Sequence, residues 1–215
     1  MLKRLVHKEL RLNVPWQHFL FAALALLLLI PSWPFAIAFM FIYVPMMIVP
    51  QTDRANSDLL FAALLPVRKR DIVVARAVML VALEAAFLAV GALAAVGRYW
   101  LYDADNIAGM NPNAAFFGLV LVMYAVFNAI YLPGGYKAAY RLLWPLLGGS
   151  VVAVAVGLVL TTLPAVVPQL AGLNDRGLGN LPAQALVLGV GLGVYAVTTA
   201  FACRRAAANF ERVDL

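Results

Sequence analysis

Apolar residues along this chain gather into six blocks, 16–30, 33–49, 72–96, 114–132, 142–163 and 185–202, with short polar gaps between them. A hydrocarbon core about 30 Å thick takes about 20 helical residues to cross. The blocks therefore predict an all-α integral membrane fold of six transmembrane helices, forming a single transmembrane domain over residues 1–215. The first two blocks are short, and Pro31-Ser32-Trp33-Pro34 reads as a tight turn between them. Each either gains length by extending into the interface or stops short of a full crossing. Pro45 is expected to kink the second block unless neighbouring helices satisfy the carbonyl it frees.

The polar gaps carry the topology. One set holds Lys3, Arg4, Lys8 and Arg11, then Arg54, Arg68, Lys69, Arg70 and Arg76, then Lys137 and Arg141, then Arg204, Arg205 and Arg212. The other set holds only Arg98 and Arg176. Lys and Arg near helix ends concentrate on the cytoplasmic side, so both termini are expected inside, which an even number of crossings permits. The outer loops are then 99–113, opening on interfacial aromatics, and 164–184, rich in Gly and Pro.

Residues 1–13 differ from the blocks. At 100° per residue Leu2, Leu5, Val6 and Leu10 fall on one stripe, with Arg4, His7, Lys8 and Arg11 opposite, as in an amphipathic interfacial helix lying on an anionic leaflet. Glu9 falls within the apolar stripe, where a carboxylate facing acyl chains is costly. Two readings stand: Glu9 snorkels to the headgroups, or it pairs with a basic residue of the cytoplasmic loop.

Composition agrees with the pattern. The chain is 65% hydrophobic and 12% charged, more apolar than a soluble globule can hide, so the excess faces lipid. The net charge of +6 sits in the short gaps, which speaks for orientation in the bilayer rather than nucleic-acid binding. The lone Cys203, beside Arg204 and Arg205, has no intrachain disulfide partner. Ala36-Ile37-Ala38 has the spacing of a signal-peptidase site, but apolar character continues through Val49, as a second span would and a mature soluble start would not.

Catalytic constellations are not apparent. His7 and His18 are the only histidines, both near the N-terminus, so no metal site is expected; no acidic pair occupies two spans, and the glycine clusters lack the Lys-Ser/Thr of a phosphate-binding loop. Glycines inside spans read as close helix contacts. Glu84 is the one ionisable residue well inside a span, a possible intramembrane polar site; it either lies on a functional path or only orients a neighbouring helix.

The most informative gap is 51–71, running on to Arg76. Ser57 or Asp58 is placed to cap a short helix through Leu59 and Leu60 to Leu64, Pro66 ends it, and Asp71 opens the third span. Taken alone, Arg68, Lys69 and Arg70 are positive-inside anchors that attract lipid phosphate. That explains the charges but not the helix and proline before them.

The order of an acidic residue, a short apolar helix, Leu65-Pro66-Val67-Arg68-Lys69-Arg70-Asp71-Ile72-Val73 and Arg76 resembles the loop between spans two and three of small ABC-2-type permeases. These are the membrane subunits of ATP-binding-cassette exporters. Lys8-Glu9-Leu10 is similar to that family's start, and Gly135-Tyr136-Lys137-Ala138-Ala139-Tyr140-Arg141 to its second inner loop. Arg68 stands where many members have a small polar residue.

The resemblance implies a permease subunit that moves an amphipathic or hydrophobic substrate (peptide, lipid-like molecule or drug) out across a bacterial cytoplasmic membrane. In that reading Asp58, Leu59, Leu60, Leu65, Pro66, Arg68, Lys69 and Arg70 form a coupling helix and its basic exit, seated on a separate ABC ATPase subunit. ATP and Mg belong to that partner, and this chain binds no cofactor. The permease pairs with itself or with a related permease. The competing reading is a non-transporting membrane scaffold that recruits a cytoplasmic partner through the same basic loops; an intramembrane enzyme would need a polar catalytic cluster that the sequence does not display.

Overall fold

A computed structural model describes residues 2–13, 16–56, 67–137, 142–176 and 178–213. Among them every regular element is helical and none is a strand. The chain opens with α1 (Leu2–Lys8), which runs into a π-helical turn (Glu9–Asn13). Then come α2 (Trp16–Leu20), a 3₁₀ helix (Phe21–Leu29), α3 (Phe35–Met40) and α4 (Tyr43–Asn56). Four long helices follow: α5 (Lys69–Leu101), α6 (Ala114–Gly135), α7 (Leu143–Val166) and α8 (Leu181–Glu211).

Among the described residues, five segments are long and apolar enough to cross a membrane: Phe35–Thr52 and the four helices α5 to α8. The first sequence block is instead a shorter apolar helix, His18–Leu29, most of it wound as 3₁₀.

The second block breaks where its proline dictates. Pro45 has no N–H to give the Phe41 carbonyl, four residues back. That carbonyl accepts instead from Val44 N at 3.1 Å, and α3 and α4 are separated by the turn at Phe41–Ile42. The third span is longer than the apolar block predicted. It starts at Lys69 behind an extended Arg68, with Asp71 in its first turn where the helix dipole favours a carboxylate.

The core lies between α5, α6 and the segments before them. Phe39, Met46, Leu80, Leu83, Phe87, Tyr124 and Phe127 are buried together. The tightest crossing is α6 on α8: a Cβ at Gly191 would stand 2.2 Å from the Gly118 carbonyl oxygen, and one at Gly118 would stand 2.6 Å from the Val187 oxygen. Only glycine lets two backbones meet so closely. By contrast Gly189 and Gly193 face open space, along with Leu186, Val190, Val197 and Phe201 of α8 and Val151, Val159 and Val166 of α7.

Both chain ends lie at the same end of the bundle. The side chain of Lys69, at the start of α5, donates to the Val213 carbonyl at 2.6 Å, and α1 packs against α5. At the far end the two interhelical loops are tied by asparagines. Asn113 caps α6 by accepting from Phe116 N at 3.0 Å and donates to the Leu173 and Asp175 carbonyls, while Asn111 Nδ2 donates to Asn174 O at 2.8 Å. Arg176 donates to the carbonyls of Tyr102 and Ala104 and stacks over Tyr99.

Candidate functional site: the base and the midpoint of one long helix

The side chains that combine charge, burial and contact between helices fall at two levels of α5. At the base, Glu9 and Arg76 are each 1% exposed, with Arg76 Nε 3.5 Å from Glu9 Oε2; Lys8 Nζ stands 3.2 Å from the other carboxylate oxygen. The helical stripe of the first segment thus divides. Leu5 and Glu9, one turn apart, turn inward onto α5, while Leu2 and Arg4 are exposed. The carboxylate meets a guanidinium of the protein rather than acyl chains, and each charge offsets the desolvation of the other.

The same base receives the C-terminal end of α8. Phe210 is buried against Tyr136, with ring centroids 5.1 Å apart; Lys69 Nζ lies 5.8 Å from its ring; Asn209 Nδ2 donates to the Pro133 carbonyl at 2.9 Å. Arg68 and Arg70 are exposed beside it. Asp58, Leu59, Leu60, Leu65 and Pro66, and with them the expected short helix, lie outside the described residues.

Glu84 lies two turns further along α5 from Arg76, about 12 Å at 1.5 Å per residue. It is fully buried. Its Oε2 accepts from Asn128 Nδ2 of α6 at 3.2 Å and from the Tyr195 hydroxyl of α8. Asn128 Nδ2 also donates to Thr199 Oγ1 of α8 at 3.1 Å. Three helices are therefore joined at one depth by neutral donors on one carboxyl group. Its second oxygen, Oε1, is buried with no hydrogen-bond partner among the described residues, as are Asn128 Oδ1 and the Tyr43 hydroxyl.

Asn128, Tyr195 and Thr199 were not singled out from the sequence. One signal pointed there: Asn128 is the only Asn, Asp, Glu, Lys or Arg in block 114–132, and a carboxyl inside a span needs donors from facing helices.

Near the far end, a cavity of about 530 Å³ opens between α5, the start of α6 and the start of α8. Ala92, Val96 and Phe117 form apolar walls, and Asn113, Arg176 and Gln184 form a polar rim. Among the described residues no group of three His, Cys, Asp or Glu side chains is placed to hold a metal ion.

An all-helical bundle with five segments able to span a bilayer, buried polar groups bridging helices and broad apolar faces turned outward is a multi-pass membrane protein. Its family follows from the sequence profile described as ABC-2 family transporter protein, which matches residues 4–204. The chain belongs to that family and is a permease component of ABC-2 transporters. No curated protein and no solved structure gives a significant match.

Proposed function

We propose that this chain is the transmembrane permease subunit of an ATP-driven exporter, carrying an amphipathic or hydrophobic substrate out of the cytoplasm together with separate ABC ATPase subunits. The family match over residues 4–204 carries this reading. Membership implies ATPase partners, on which ATP and Mg would be held.

The geometry of α5 supports a mechanism. Movement delivered to residues 57–66 enters α5 at Lys69, with only Val67 and Arg68 between. At 1.5 Å per residue the helix then runs about 50 Å as one rod. Arg76 fastens the rod to the N-terminal helix through Glu9, so those two elements move together. Glu84 meets α6 and α8 through hydrogen bonds worth about 1 kcal/mol each in a membrane, few enough to exchange between two arrangements of packed helices.

The chain ends meet at the base of α5, which supports an even number of crossings, with both termini cytoplasmic by the distribution of Lys and Arg. The sixth crossing is the run from α2 through the 3₁₀ helix. Five α-helical residues at 1.5 Å and nine 3₁₀ residues at 2.0 Å extend about 25 Å, near the hydrocarbon thickness. The apolar cavity with a polar rim suits an amphipathic cargo near its exit. The outward apolar faces of α7 and α8 suit lipid and a second permease, either the same chain or a related one.

The test is reconstitution of the chain with its ATPase subunits in proteoliposomes. Replacing 57–66 with a Gly-Ser linker should abolish ATP-dependent substrate movement by releasing the ATPase subunits, whose own hydrolysis should stay within about twofold of their rate without the permease. Transport surviving that replacement would overturn the coupling role.

A further inference from the structure

A second cavity lies at the end of the bundle where the chain termini meet. It has a volume of about 360 Å³ and is lined by Arg70 at the start of α5 and by Arg204, Ala207, Ala208 and Glu211 of α8. The two alanines leave a floor without long side chains, and the three charged residues surround it from two helices. Among the described residues Glu211 forms no ion pair within 4.0 Å with either guanidinium, although all three line one space.

The depth of this cavity can be read from the two helices. The hydrogen bond between Glu84 and Tyr195 sets a common level on α5 and α8. That level is within one turn of the midpoint between Arg76 and Arg98, which bound the apolar stretch of α5. Counted from it at 1.5 Å per residue, Arg204 lies about 14 Å away, Arg70 about 21 Å and Glu211 about 24 Å. A hydrocarbon half-thickness of about 15 Å and a half-bilayer of about 20–22 Å place Arg204 at the hydrocarbon edge, Arg70 in the headgroup layer and Glu211 at its water-facing rim.

We infer that this cavity binds the headgroup of a zwitterionic phospholipid, phosphatidylethanolamine, in the leaflet on the side of the chain termini. Guanidinium groups form charge-assisted hydrogen bonds with phosphate oxygens, and basic pockets between transmembrane helices collect lipid headgroups. Arg204 and Arg70 bracket the phosphate level. The primary ammonium of this lipid lies on the water side of its phosphate, and the Glu211 carboxylate is the outermost of the three charges. Phosphatidylglycerol would use both arginines but offer that carboxylate only neutral hydroxyls, and phosphatidylcholine only a quaternary ammonium with no N–H to donate. Chemistry and depth therefore both select the lipid with a phosphate inside and an ammonium outside. The inference goes beyond the transport function and does not rest on it, since lipid retention requires neither ATP nor substrate.

The test is native mass spectrometry of the full-length protein purified in detergent and titrated with equal amounts of phosphatidylethanolamine, phosphatidylglycerol and phosphatidylcholine. The wild type should retain phosphatidylethanolamine about fivefold over phosphatidylglycerol, the scale of one headgroup-level charge contact. Arg70→Gln and Arg204→Gln should each lower its retention about fivefold. Glu211→Gln should bring the two lipids to near parity, and Asp103→Asn, an exposed residue at the opposite end, should change nothing. All four side chains are at the surface or in loops, and the wild-type titration decides even if one variant fails to fold. Equal retention of the three lipids by the wild type, a preference for phosphatidylglycerol, or a preference untouched by Glu211→Gln would each overturn the site.

Discussion

Glu9 and Glu84 are both buried carboxyl groups, 1% and 0% exposed, yet they are satisfied in opposite ways. Glu9, at the base of the bundle, stands beside Arg76 and Lys8. Glu84, two turns deeper along α5 than Arg76, takes hydrogen bonds from Asn128 and Tyr195 and has no basic neighbour within ion-pair distance among the described residues. The difference follows depth. Near the headgroups a cation can be supplied by the positively charged end of the chain, while at mid-membrane each additional charge costs more than a neutral donor. A buried ion pair is hard to break because separation strands two charges; a carboxyl group held by an amide and a hydroxyl can change partners at lower cost. Glu9 is on this account a fastener, and Glu84 a joint.

That contrast can be broken by substitution. The largest effect is expected at the base: Arg76→Ala removes the buried guanidinium beside Glu9 and should destabilise the detergent-solubilised protein by about 3 kcal/mol, read by thermal unfolding. The double variant Glu9→Gln/Arg76→Gln should recover at least about 1 kcal/mol relative to the sum of the single changes. Strict additivity would show that the pair is not a fastener. Next in size is Gly191→Val, whose side chain meets the Gly118 carbonyl and must force α6 and α8 apart at a cost of about 2–3 kcal/mol.

Glu84→Gln keeps an acceptor for Asn128 and Tyr195, so unfolding should shift by only about 1 kcal/mol. ATP-dependent transport in proteoliposomes should nonetheless fall severalfold. Full transport by this variant would reduce Glu84 to a structural contact. The smallest change is expected from Tyr195→Phe, which removes one donor and should cost about 0.6 kcal/mol. An effect as large as that of Arg76→Ala would erase the distinction between fastener and joint.

Hydropathy alone located the four long helices because each is a block of about twenty apolar residues between polar gaps, and the largest outward shifts came where charged turns continue the helix, as at Lys69 and Glu211. It read the first block less well. A run of leucines reports burial in lipid but not the winding of the backbone, and much of it is 3₁₀.

Glu9 stood out in the sequence because a carboxylate on an apolar stripe is anomalous, and a basic partner from the loop was one of two readings. What no periodicity could reveal is that Leu5 and Glu9 of that stripe face α5, because helix orientation is decided by the contact. Glu84 stood out for the same reason, whereas Asn128, Tyr195 and Thr199 did not. Amides and hydroxyls are common enough in spans that only the folded arrangement turns them into partners.

The central claim is that this chain works as a permease coupled through its second polar gap to a separate ATPase. Affinity purification of the tagged chain from its native membrane, with quantitative mass spectrometry of what accompanies it, tests this most directly. The account predicts an ATPase bearing a phosphate-binding loop at about one copy per permease, lost when residues 57–66 are replaced by a Gly-Ser linker while the helices remain folded. Absence of any such ATPase, or its full retention by the linker variant, would contradict it.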